Sequence, residues 1–245
     1  MEYKNISAAI VIPTYNEVDN LPRLLEQVLS LRPARFAVLV VDDNSADGTG
    51  KLADSLTSQY PGQLEVMHRA GKLGLGSAYI QGFQHLLKTG VPAIGQMDAD
   101  FSHDPAMLPK MLAALEQHDI AVGSRYVPGG ALDEKWALWR KGLSAFGNFY
   151  SRTILNLPLK DVTGGFRVWR RTALERMPLT RVRSNGYVFQ VEMAYVAHRL
   201  GLRFSELPIY FAERTAGLSK MSIRIQMEAA LRVWALPSMY RDLSR

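Results

Sequence analysis

Short apolar runs alternate with longer amphipathic segments through the first half of the chain. Between the runs, apolar residues recur every three or four positions, as they do from Val18 to Leu31, and this period is typical of a helix. Buried strands that alternate with helices predict an α/β fold, with a mostly parallel Rossmann-like sheet covered by helices on both faces. The runs of strand length are residues 8–13, 36–41, 64–68, 94–97 and 120–124.

A long helix is predicted from Lys135 to Leu155, where the pattern changes. Arg140, Ser144 and Asn148 follow one another at intervals of four residues, so they share one polar face of this helix. A separate stripe of the same helix is apolar and consists of Trp139, Leu143, Phe146, Tyr150 and Ile154.

The last third of the chain predicts two strands and two helices. Residues 166–169 predict a strand and residues 186–200 a helix. Residues 203–211 predict a strand whose internal proline favours the edge of a sheet. A polar loop over residues 213–220 leads to an amphipathic helix that we expect to end before Pro237. The apolar stripe predicted for this last helix is Ile223, Met227, Ala230, Leu231 and Trp234.

Polar clusters follow three of the predicted strands, at residues 14–17, 42–45 and 98–100. Because ligands of parallel sheets bind outside the carboxyl ends of the strands, we expect these clusters to meet at one rim. Asp98 and Asp100 are hard oxygen ligands one residue apart, so they could share Mg²⁺ or Mn²⁺, and the sequence does not choose between these ions. Asp104 and Pro105 then predict the start of a helix.

Composition narrows the possible partners. The chain of 245 residues fits one large domain, and the absence of cysteine excludes disulfides and thiolate metal sites. The net charge of +6 is uneven: residues 1–120 hold 9 Lys/Arg and 14 Asp/Glu, a net charge of −5, whereas the remaining residues hold 20 and 9, a net charge of +11. The basic half should therefore meet an anion, such as a phosphate, a nucleic acid or a membrane surface.

Several motifs together resemble family 2 glycosyltransferases of the GT-A fold. They are Ile12-Pro-Thr-Tyr-Asn-Glu17, Val41-Asp-Asp-Asn-Ser45, Lys72-Leu-Gly-Leu-Gly76 and Met97-Asp-Ala-Asp100. Later motifs are similar to the dolichol-phosphate (polyprenol-phosphate) mannosyltransferase branch. They are Gly123-Ser-Arg-Tyr-Val-Pro-Gly-Gly130, Thr163-Gly-Gly-Phe-Arg167, Phe189-Gln-Val-Glu-Met193, Arg214 and Gly217-Leu-Ser-Lys220.

The resemblance implies inverting, metal-dependent transfer of mannose from GDP-mannose to the phosphate of a polyprenyl (dolichyl) phosphate, with Mg²⁺ or Mn²⁺ as cofactor. It implies a GT-A glycosyltransferase domain over residues 1–220. Within that domain, residues 1–124 would form the nucleotide-sugar-binding half and residues 125–220 the acceptor half. Residues 221–245 would form a C-terminal amphipathic helix that meets either the membrane surface or the domain itself.

Matching each motif to this family implies roles for individual residues. Pro13, Tyr15, Glu17, Val41 and Asp43 would line the nucleoside pocket. Asp98, Ala99 and Asp100 would lie at the diphosphate and the metal. Arg125, Arg214 and Lys220 would contact phosphates of the nucleotide sugar. Some relatives carry a glutamine as a further metal ligand where this chain has the shorter Ser102.

The spacing of side chains adds candidates that the motifs leave open. One of Asp42 and Asp43 should accept hydrogen bonds from the base or ribose, and the motif match favours Asp43. Arg125, Arg140 and Ser144 are the candidates for the acceptor phosphate, because guanidinium groups bind phosphate in a two-pronged manner. Together with Asp100 they form the predicted catalytic set.

A phosphate acceptor needs little help from a base, because a phosphate monoester is already negatively charged at neutral pH. We therefore predict no dedicated general base, and catalysis by positioning, metal and phosphate contacts. We expect His103 to be a packing or hydrogen-bonding residue, and Glu192 to be a structural partner of a nearby arginine.

The expected location is the cytoplasm, peripheral on the cytoplasmic face of a membrane. No apolar run reaches the ~20 residues of a membrane-spanning helix, and the N-terminus has no signal-peptide pattern. Attachment would come from basic and tryptophan-bearing helices or from a separate membrane-anchoring partner protein. No nucleic-acid partner is expected, because the basic residues lack interleaved aromatics.

Two alternatives stay open at this level. One is a glycosyltransferase that uses UDP-glucose or another nucleotide sugar. The other is a catalytically silent module that binds a nucleotide sugar or a nucleic acid.

Overall fold

A seven-stranded sheet forms the centre of the structure, a computed structural model that describes residues 3, 5–213 and 223–243, with side chains of the last helix from residue 230 onward. The sheet order is β3-β2-β1-β4-β7-β5-β8. Its strands are β1 (Ala8–Thr14), β2 (Phe36–Asp42), β3 (Leu64–His68), β4 (Ala93–Gln96), β5 (Ile120–Ser124), β7 (Arg167–Arg170) and β8 (Phe204–Pro208).

The sheet is mostly parallel, as the continuous apolar runs predict. Strand β7 is the exception within the sheet, because it pairs antiparallel with both β4 and β5. A separate two-stranded ribbon pairs β6 (Ala131–Leu132) with β9 (Tyr210–Phe211). Because β6 and β9 lie just beyond the carboxyl ends of β5 and β8, the ribbon extends the edge where polar residues were expected to gather.

Helices cover both faces of the sheet, as predicted. They are α1 (Leu21–Leu29), α2 (Thr49–Leu56), α3 (Leu75–Leu86), α4 (Leu108–Ala114), α5 (Leu138–Ile154), α6 (Arg171–Glu175), α7 (Gly186–Arg199) and α8 (Ile223–Met239). Two short 3₁₀ turns precede α4 and α7, at Pro105–Met107 and Leu179–Arg181. In the part of the chain that the structure describes, no helix is both long enough and apolar enough to cross a bilayer.

The core has two layers because side chains alternate along each strand. In β1, Ala9 and Val11 belong to one apolar cluster, whereas Ala8, Ile10 and Ile12 belong to the other. Helix α3 packs on the first layer at very short range. A Cβ atom added to Gly82 would lie 2.6 Å from Cγ1 of Val11, so glycine allows the helix to approach the strand.

Several sequence predictions need correction. The predicted strand over residues 203–211 is interrupted at Ile209, because β8 belongs to the main sheet and β9 to the ribbon. Its expected position at a sheet edge is confirmed for β8. Strand β6 and helix α6 were not predicted, and both are too short to give a clear period.

Helix α8 continues past Pro237 to Met239, so the predicted end is wrong. The amide of Tyr240 still donates to the carbonyl of Leu236, which carries the helical hydrogen bonding beyond the proline. Part of the predicted apolar stripe faces away from the domain where its side chains are described. Leu231 and Trp234 are exposed, whereas Val233 and Leu236 are buried.

The long helix α5 buries its polar face. Asn148 and Ser151 are buried, and Asn148 accepts hydrogen bonds from the amides of Val162 and Thr163 through its side-chain oxygen. Four large apolar side chains of α5 are exposed instead, namely Leu138, Trp139, Phe146 and Phe149. This inversion follows from the unpaired backbone of the 161–165 turn, which requires polar partners from the helix beside it.

Candidate active site

The carboxyl ends of β1 and β2 are joined by the side chain of Asp42. Its carboxylate accepts hydrogen bonds from the hydroxyl of Thr14 at 3.1 Å and from the hydroxyl of Ser45 at 2.5 Å. The amide of Ser45 donates to the second carboxylate oxygen at 3.1 Å. Asp42 is 2% exposed, so its carboxylate organises the rim from within rather than facing the opening.

Asp43, the next residue, is buried and forms an ion pair with Arg69 at 2.5 Å. Arg69 also donates to the hydroxyl of Ser77 at the start of α3. Sequence analysis did not single out Arg69. Its position directly after β3 was the available signal, because it lies at the carboxyl end of the neighbouring parallel strand.

The other residues predicted to line the nucleoside pocket occupy different depths. Tyr15 is exposed and its ring lies 3.9 Å from the ammonium nitrogen of Lys72. Glu17 is half-buried and accepts a hydrogen bond from the side-chain amide of Asn20 at 2.8 Å. Pro13 is half-buried, whereas Val41 is fully buried in the apolar core, so contact with a ligand would fall to the backbone of Val41.

Asp98 lies just beyond the carboxyl end of β4 and is held from two sides. The hydroxyl of Tyr79 donates to its carboxylate at 3.0 Å. Its backbone amide donates to Nδ1 of His103 at 3.2 Å. A Cβ atom on Gly165 would lie 3.8 Å from Oδ1 of Asp98, an ordinary contact distance, so the turn that contains Gly165 lies beside the carboxylate.

Asp100 is buried and is oriented by Ser102. Oδ1 of Asp100 accepts hydrogen bonds from the Ser102 amide at 3.0 Å and from the Ser102 hydroxyl at 2.6 Å. Phe101, between them, has a positive φ of 60°, which bends the loop so that the chain folds back on the carboxylate. Ser102 therefore acts on the carboxylate of Asp100, and Ala99 is buried beside it.

The two carboxylates suit a hard divalent cation. Asp98 and Asp100 offer oxygen ligands on one short loop, which is the chemistry that Mg²⁺ and Mn²⁺ prefer. Among the residues that the structure describes, three or more His, Cys, Asp or Glu side chains nowhere gather in a way that could hold a metal.

His103 packs behind the loop that carries Asp98 and Asp100. Its ring stacks on Phe166 with 5.0 Å between centroids and meets Phe211 edge-on at 5.4 Å. Burial lowers the pKa of this imidazole, although the charges of Asp98 and Asp100 oppose the shift. The neutral ring accepts the amide hydrogen of Asp98, so the prediction of a packing and hydrogen-bonding residue is confirmed.

Arg125 is fixed by a buried ion pair with Asp161. Its Nε and one terminal nitrogen each donate to the Asp161 carboxylate at 2.7 Å, and the same terminal nitrogen donates to Thr163 at 2.8 Å. Burial would raise the pKa of Asp161, but the charge and hydrogen bonds of Arg125 outweigh it and lower that pKa. The guanidinium lies 5.2 Å from the ring centre of Phe211, the same ring that His103 meets edge-on.

Arg140 and Ser144 occupy the face of α5 that is turned towards this group of side chains. The hydroxyl of Tyr126 donates to Ser144 at 2.8 Å, which joins the residue after Arg125 to the helix. Arg140 pairs with Glu213 at 2.8 Å and lies 4.2 Å from the ring centre of Trp136. The sequence motifs assigned no role at this site to Tyr126 or Trp136, although each lies within four residues of a predicted phosphate ligand.

The predicted residues thus fall into two neighbouring groups. The end of β1 lies between the ends of β2 and β4, which brings the 14–17, 42–45 and 98–100 clusters to one rim. The chain of contacts through His103 and Phe211 places Arg125 behind the loop that carries Asp98 and Asp100. Arg214 and Lys220 lie outside the described residues.

Glu192 has a different partner from the one expected. Its carboxylate accepts hydrogen bonds from the backbone amide of Ser184 at 2.8 Å and from the hydroxyl of Tyr240 at 2.7 Å. The amide of Arg183 also approaches at 3.3 Å, so the neighbouring arginine contributes its backbone.

Comparison with known proteins identifies related sequences over most of the chain. Residues 9–177 match the model of Glycosyl transferase family 2. The chain is 44% identical to the polyprenol monophosphomannose synthase of Mycolicibacterium smegmatis over 225 residues, which cover 91% of this chain and 84% of that protein. It is also 44% identical to the undecaprenyl-phosphate mannosyltransferase of Micrococcus luteus over 235 residues, which cover 95% and 96%.

Solved structures share the fold at lower identity. The mannosyl-3-phosphoglycerate synthase from Rubrobacter xylanophilus aligns with a TM-score of 0.65 and 17% identity, over 97% of this chain and 75% of that chain. Glucosyl-3-phosphoglycerate synthase from Mycobacterium tuberculosis, solved with Mn²⁺, UDP and glucosyl-3-phosphoglycerate, aligns with a TM-score of 0.62 and 16% identity, over 96% and 80%. At these identities the likeness concerns the fold.

The buried ion pair leads to a stability prediction. Asp161→Asn leaves the guanidinium of Arg125 buried without its carboxylate and should lower the free energy of unfolding by about 3–5 kcal/mol. Glu175→Gln breaks the partly exposed pair with Arg171 and should cost less than about 1 kcal/mol. Urea denaturation of both variants measures the difference. Equal losses would contradict the role given to Asp161.

The same variant has a defined pH dependence. Because the folded-state pKa of Asp161 is lowered, its contribution is complete above the unfolded pKa of about 3.9 and is lost as the pH falls through the lower folded value. The gap in stability between wild type and Asp161→Asn should therefore be constant from pH 5 upward and shrink below about pH 4.

Proposed function

We propose, since this chain belongs to glycosyl transferase family 2, that it transfers mannose from GDP-mannose to the phosphate of a polyprenyl phosphate and inverts the anomeric centre. The two relatives at 44% identity are named as mannosyltransferases of polyprenyl phosphates, and this supports the choice of sugar and acceptor. Their names also favour an enzyme over a catalytically silent binding module.

One observation carries the proposal. The loop that carries the carboxylates of Asp98 and Asp100 lies beside a group of side chains that includes Arg125 and several hydroxyl groups. Asp98 contacts His103, and His103 and Arg125 both contact the ring of Phe211. Such a pairing suits a reaction between two phosphate-bearing substrates, one held through a cation and the other through guanidinium and hydroxyl donors.

The donor would lie along the rim formed by β2, β1 and β4. Asp43 is the proposed contact of the nucleoside, because its carboxylate is oriented by Arg69 at the end of β2. Tyr15 and Lys72 form an exposed aromatic and cationic pair at the mouth of the same rim. Asp98 and Asp100 would hold Mg²⁺ or Mn²⁺, which when bound would offset the negative charge on the departing diphosphate.

The acceptor phosphate would lie between Arg125, Arg140 and Ser144. Both guanidinium groups already have a carboxylate partner, Asp161 for Arg125 and Glu213 for Arg140. The exposed pair of Arg140 and Glu213 is the one that a phosphate could replace, since its side chains are 26% and 33% exposed. The buried pair of Arg125 would stay intact and present its remaining donors.

The proposed chemistry is a single displacement. A phosphate oxygen of the acceptor forms a bond to the anomeric carbon, the bond from that carbon to the diphosphate oxygen breaks, and GDP leaves with the electron pair. The attacking oxygen is already anionic, so no side chain has to remove a proton. The residues of this chain would contribute by aligning the two phosphates and excluding competing orientations.

The acceptor's lipid tail requires a membrane surface, and α5 with α8 offers a suitable face. Leu138, Phe146 and Phe149 project within about 100° of arc around α5. On α8, Trp234 donates to the hydroxyl of Tyr150 at 2.8 Å, so the two helices share one surface. The exposed large apolar residues of this helix face, as we name it, are Leu138, Trp139, Phe146, Phe149, Leu231 and Trp234.

The helix face suits the interfacial region of a bilayer. Its tryptophans combine an apolar ring with a hydrogen-bonding nitrogen, a combination favoured at the headgroup level. Lys141 and Arg152 lie on α5, and they would be attracted to anionic lipids. We therefore propose a peripheral enzyme on the cytoplasmic face of the membrane, alone or with an anchoring partner protein.

A transfer assay tests the proposed reaction. Radiolabelled GDP-mannose, polyprenyl phosphate and Mn²⁺ should give labelled product in the organic phase, and EDTA should abolish it. Asp98→Asn and Asp100→Asn should lower turnover by about 10²–10³-fold, because the charge of the leaving diphosphate is no longer offset. Label transferred from UDP-glucose instead would favour the alternative donor.

The absence of a general base is tested in the same assay by Glu213→Gln, which replaces the acidic partner of Arg140. A loss of about 10³-fold in turnover, with donor, acceptor and metal affinities intact, would imply that Glu213 acts as a base and would refute the single unassisted displacement.

Flotation with vesicles tests the helix face. Vesicles of phosphatidylcholine with about 30% phosphatidylglycerol should carry the wild-type protein upward in a density gradient. Replacing Phe149 and Trp234 together by serine should lower the bound fraction several-fold, because both side chains leave the interface. Leu73→Ser is the matched control, since Leu73 is also exposed but lies outside the helix face. Equal flotation of all three proteins would remove the helix face from the proposal.

A further inference from the structure

The C-terminal end of α8 is fastened to the loop that precedes α7. Arg181 forms a two-pronged pair with Asp242, at 2.7 and 2.8 Å, and donates to the carbonyl of Met239 at 2.7 Å. The Nε atom of Arg232 lies 3.4 Å from the hydroxyl of Ser184. Four side chains therefore connect the last helix and the turn after it to residues 181–184.

Glu192 is the centre of this connection. It is fully buried on α7, where an unpaired carboxylate would be costly. One of its oxygens accepts the hydroxyl hydrogen of Tyr240 at 2.7 Å, and the other accepts the amide hydrogen of Ser184 at 2.8 Å. The carboxylate thus links the end of α8 directly to the backbone of the loop.

The other side of this loop contacts the turn that contains Gly74 and Gly76 at the start of α3, called the glycine turn below. A Cβ atom on Gly76 would lie 2.5 Å from the carbonyl oxygen of Ser184, and one on Gly74 would lie 2.9 Å from the side-chain oxygen of Asn185. Gly74 also has a φ of +98°, a conformation that other residues rarely adopt. Loop and turn are therefore in direct contact, with no room for side chains between them.

The glycine turn in turn contacts the donor rim. Ser77, in the first turn of α3, accepts a hydrogen bond from Arg69 at 2.5 Å. Arg69 also donates to the carbonyl of Gly74 at 3.4 Å and pairs with Asp43. A continuous series of contacts therefore runs from Tyr240 through Glu192, the loop and the glycine turn to Asp43.

We propose that Tyr240 and Glu192 are positioning residues that hold the 183–185 loop beneath the glycine turn and so set the geometry of the nucleotide rim. The part of this inference that concerns nucleotide rests on the proposed function. Seating of α8 and occupation of the rim favour the same arrangement of the loop, so each strengthens the other by an equal factor. The helix that carries Trp234 at its outer surface is thereby coupled to donor binding.

Tyr240→Phe tests the inference, with Tyr3→Phe as its matched control. Both tyrosines are buried and donate to a glutamate, Tyr3 to Glu65 at 3.0 Å, but Tyr3 lies outside the series of contacts. Hydrogen exchange should quicken in residues 72–78 for Tyr240→Phe and stay unchanged there for Tyr3→Phe. The dissociation constant of GDP with Mn²⁺ should rise about fivefold for Tyr240→Phe alone.

Glu192→Gln gives an independent variant, because glutamine has a single acceptor oxygen and cannot accept the hydrogens of both the Tyr240 hydroxyl and the Ser184 amide, as the carboxylate does. It should produce the same rise in exchange over residues 72–78. Unchanged exchange over those residues in Tyr240→Phe, or an equal change in Tyr3→Phe, would overturn the inference. Failure of the wild-type protein to bind GDP would overturn the proposed donor, while the exchange data would still decide the role of Tyr240.

Discussion

The parallel pairing of β1 with β2 and β4 is the constraint on which the site depends. The register sets Thr14 opposite Asp42 and Val11 opposite Gln96, so the three strands end at one edge. The buried carboxylate of Asp42 then ties the first two ends together. Thr14 and Asp42, 28 positions apart in the chain, thus become neighbours through the strand register, and the hydrogen bond between their side chains holds them there. A slip in this register would separate the 14–17, 42–45 and 98–100 clusters.

Buried polar groups give the second half of the chain its shape. The pair of Arg125 and Asp161 and the amide of Asn148 satisfy the 161–165 turn, which holds the polar face of α5 against the domain. The apolar side chains of α5 are left exposed as a consequence. One set of hydrogen bonds thus accounts both for the position of Arg125 beside the 161–165 turn and for the helix face proposed to meet lipid.

The sequence was informative where local pattern decides structure. Continuous apolar runs identified the strands of the parallel sheet, and the fold rule for such sheets brought three polar clusters together. The orientation of α5 could not be predicted from the sequence, because it depends on the backbone amides of Val162 and Thr163 rather than on the period of the helix. The roles of Arg69 and Tyr126 were also not predicted, because their partners Asp43 and Ser144 are distant in sequence. The prediction that the last helix ends before Pro237 was wrong, because a proline near a helix end removes a single hydrogen bond and need not stop the helix.

We propose that the acidic rim binds a nucleoside diphosphate through a cation held by Asp98 and Asp100. Titration calorimetry of GDP into the wild-type protein, with Mn²⁺ and then with EDTA, measures this binding. We expect a dissociation constant at least about tenfold lower with Mn²⁺, a difference of about 1.4 kcal/mol. We also expect Asp98→Asn to remove this dependence on metal. Equal affinity with and without Mn²⁺, or full metal dependence in Asp98→Asn, would contradict it.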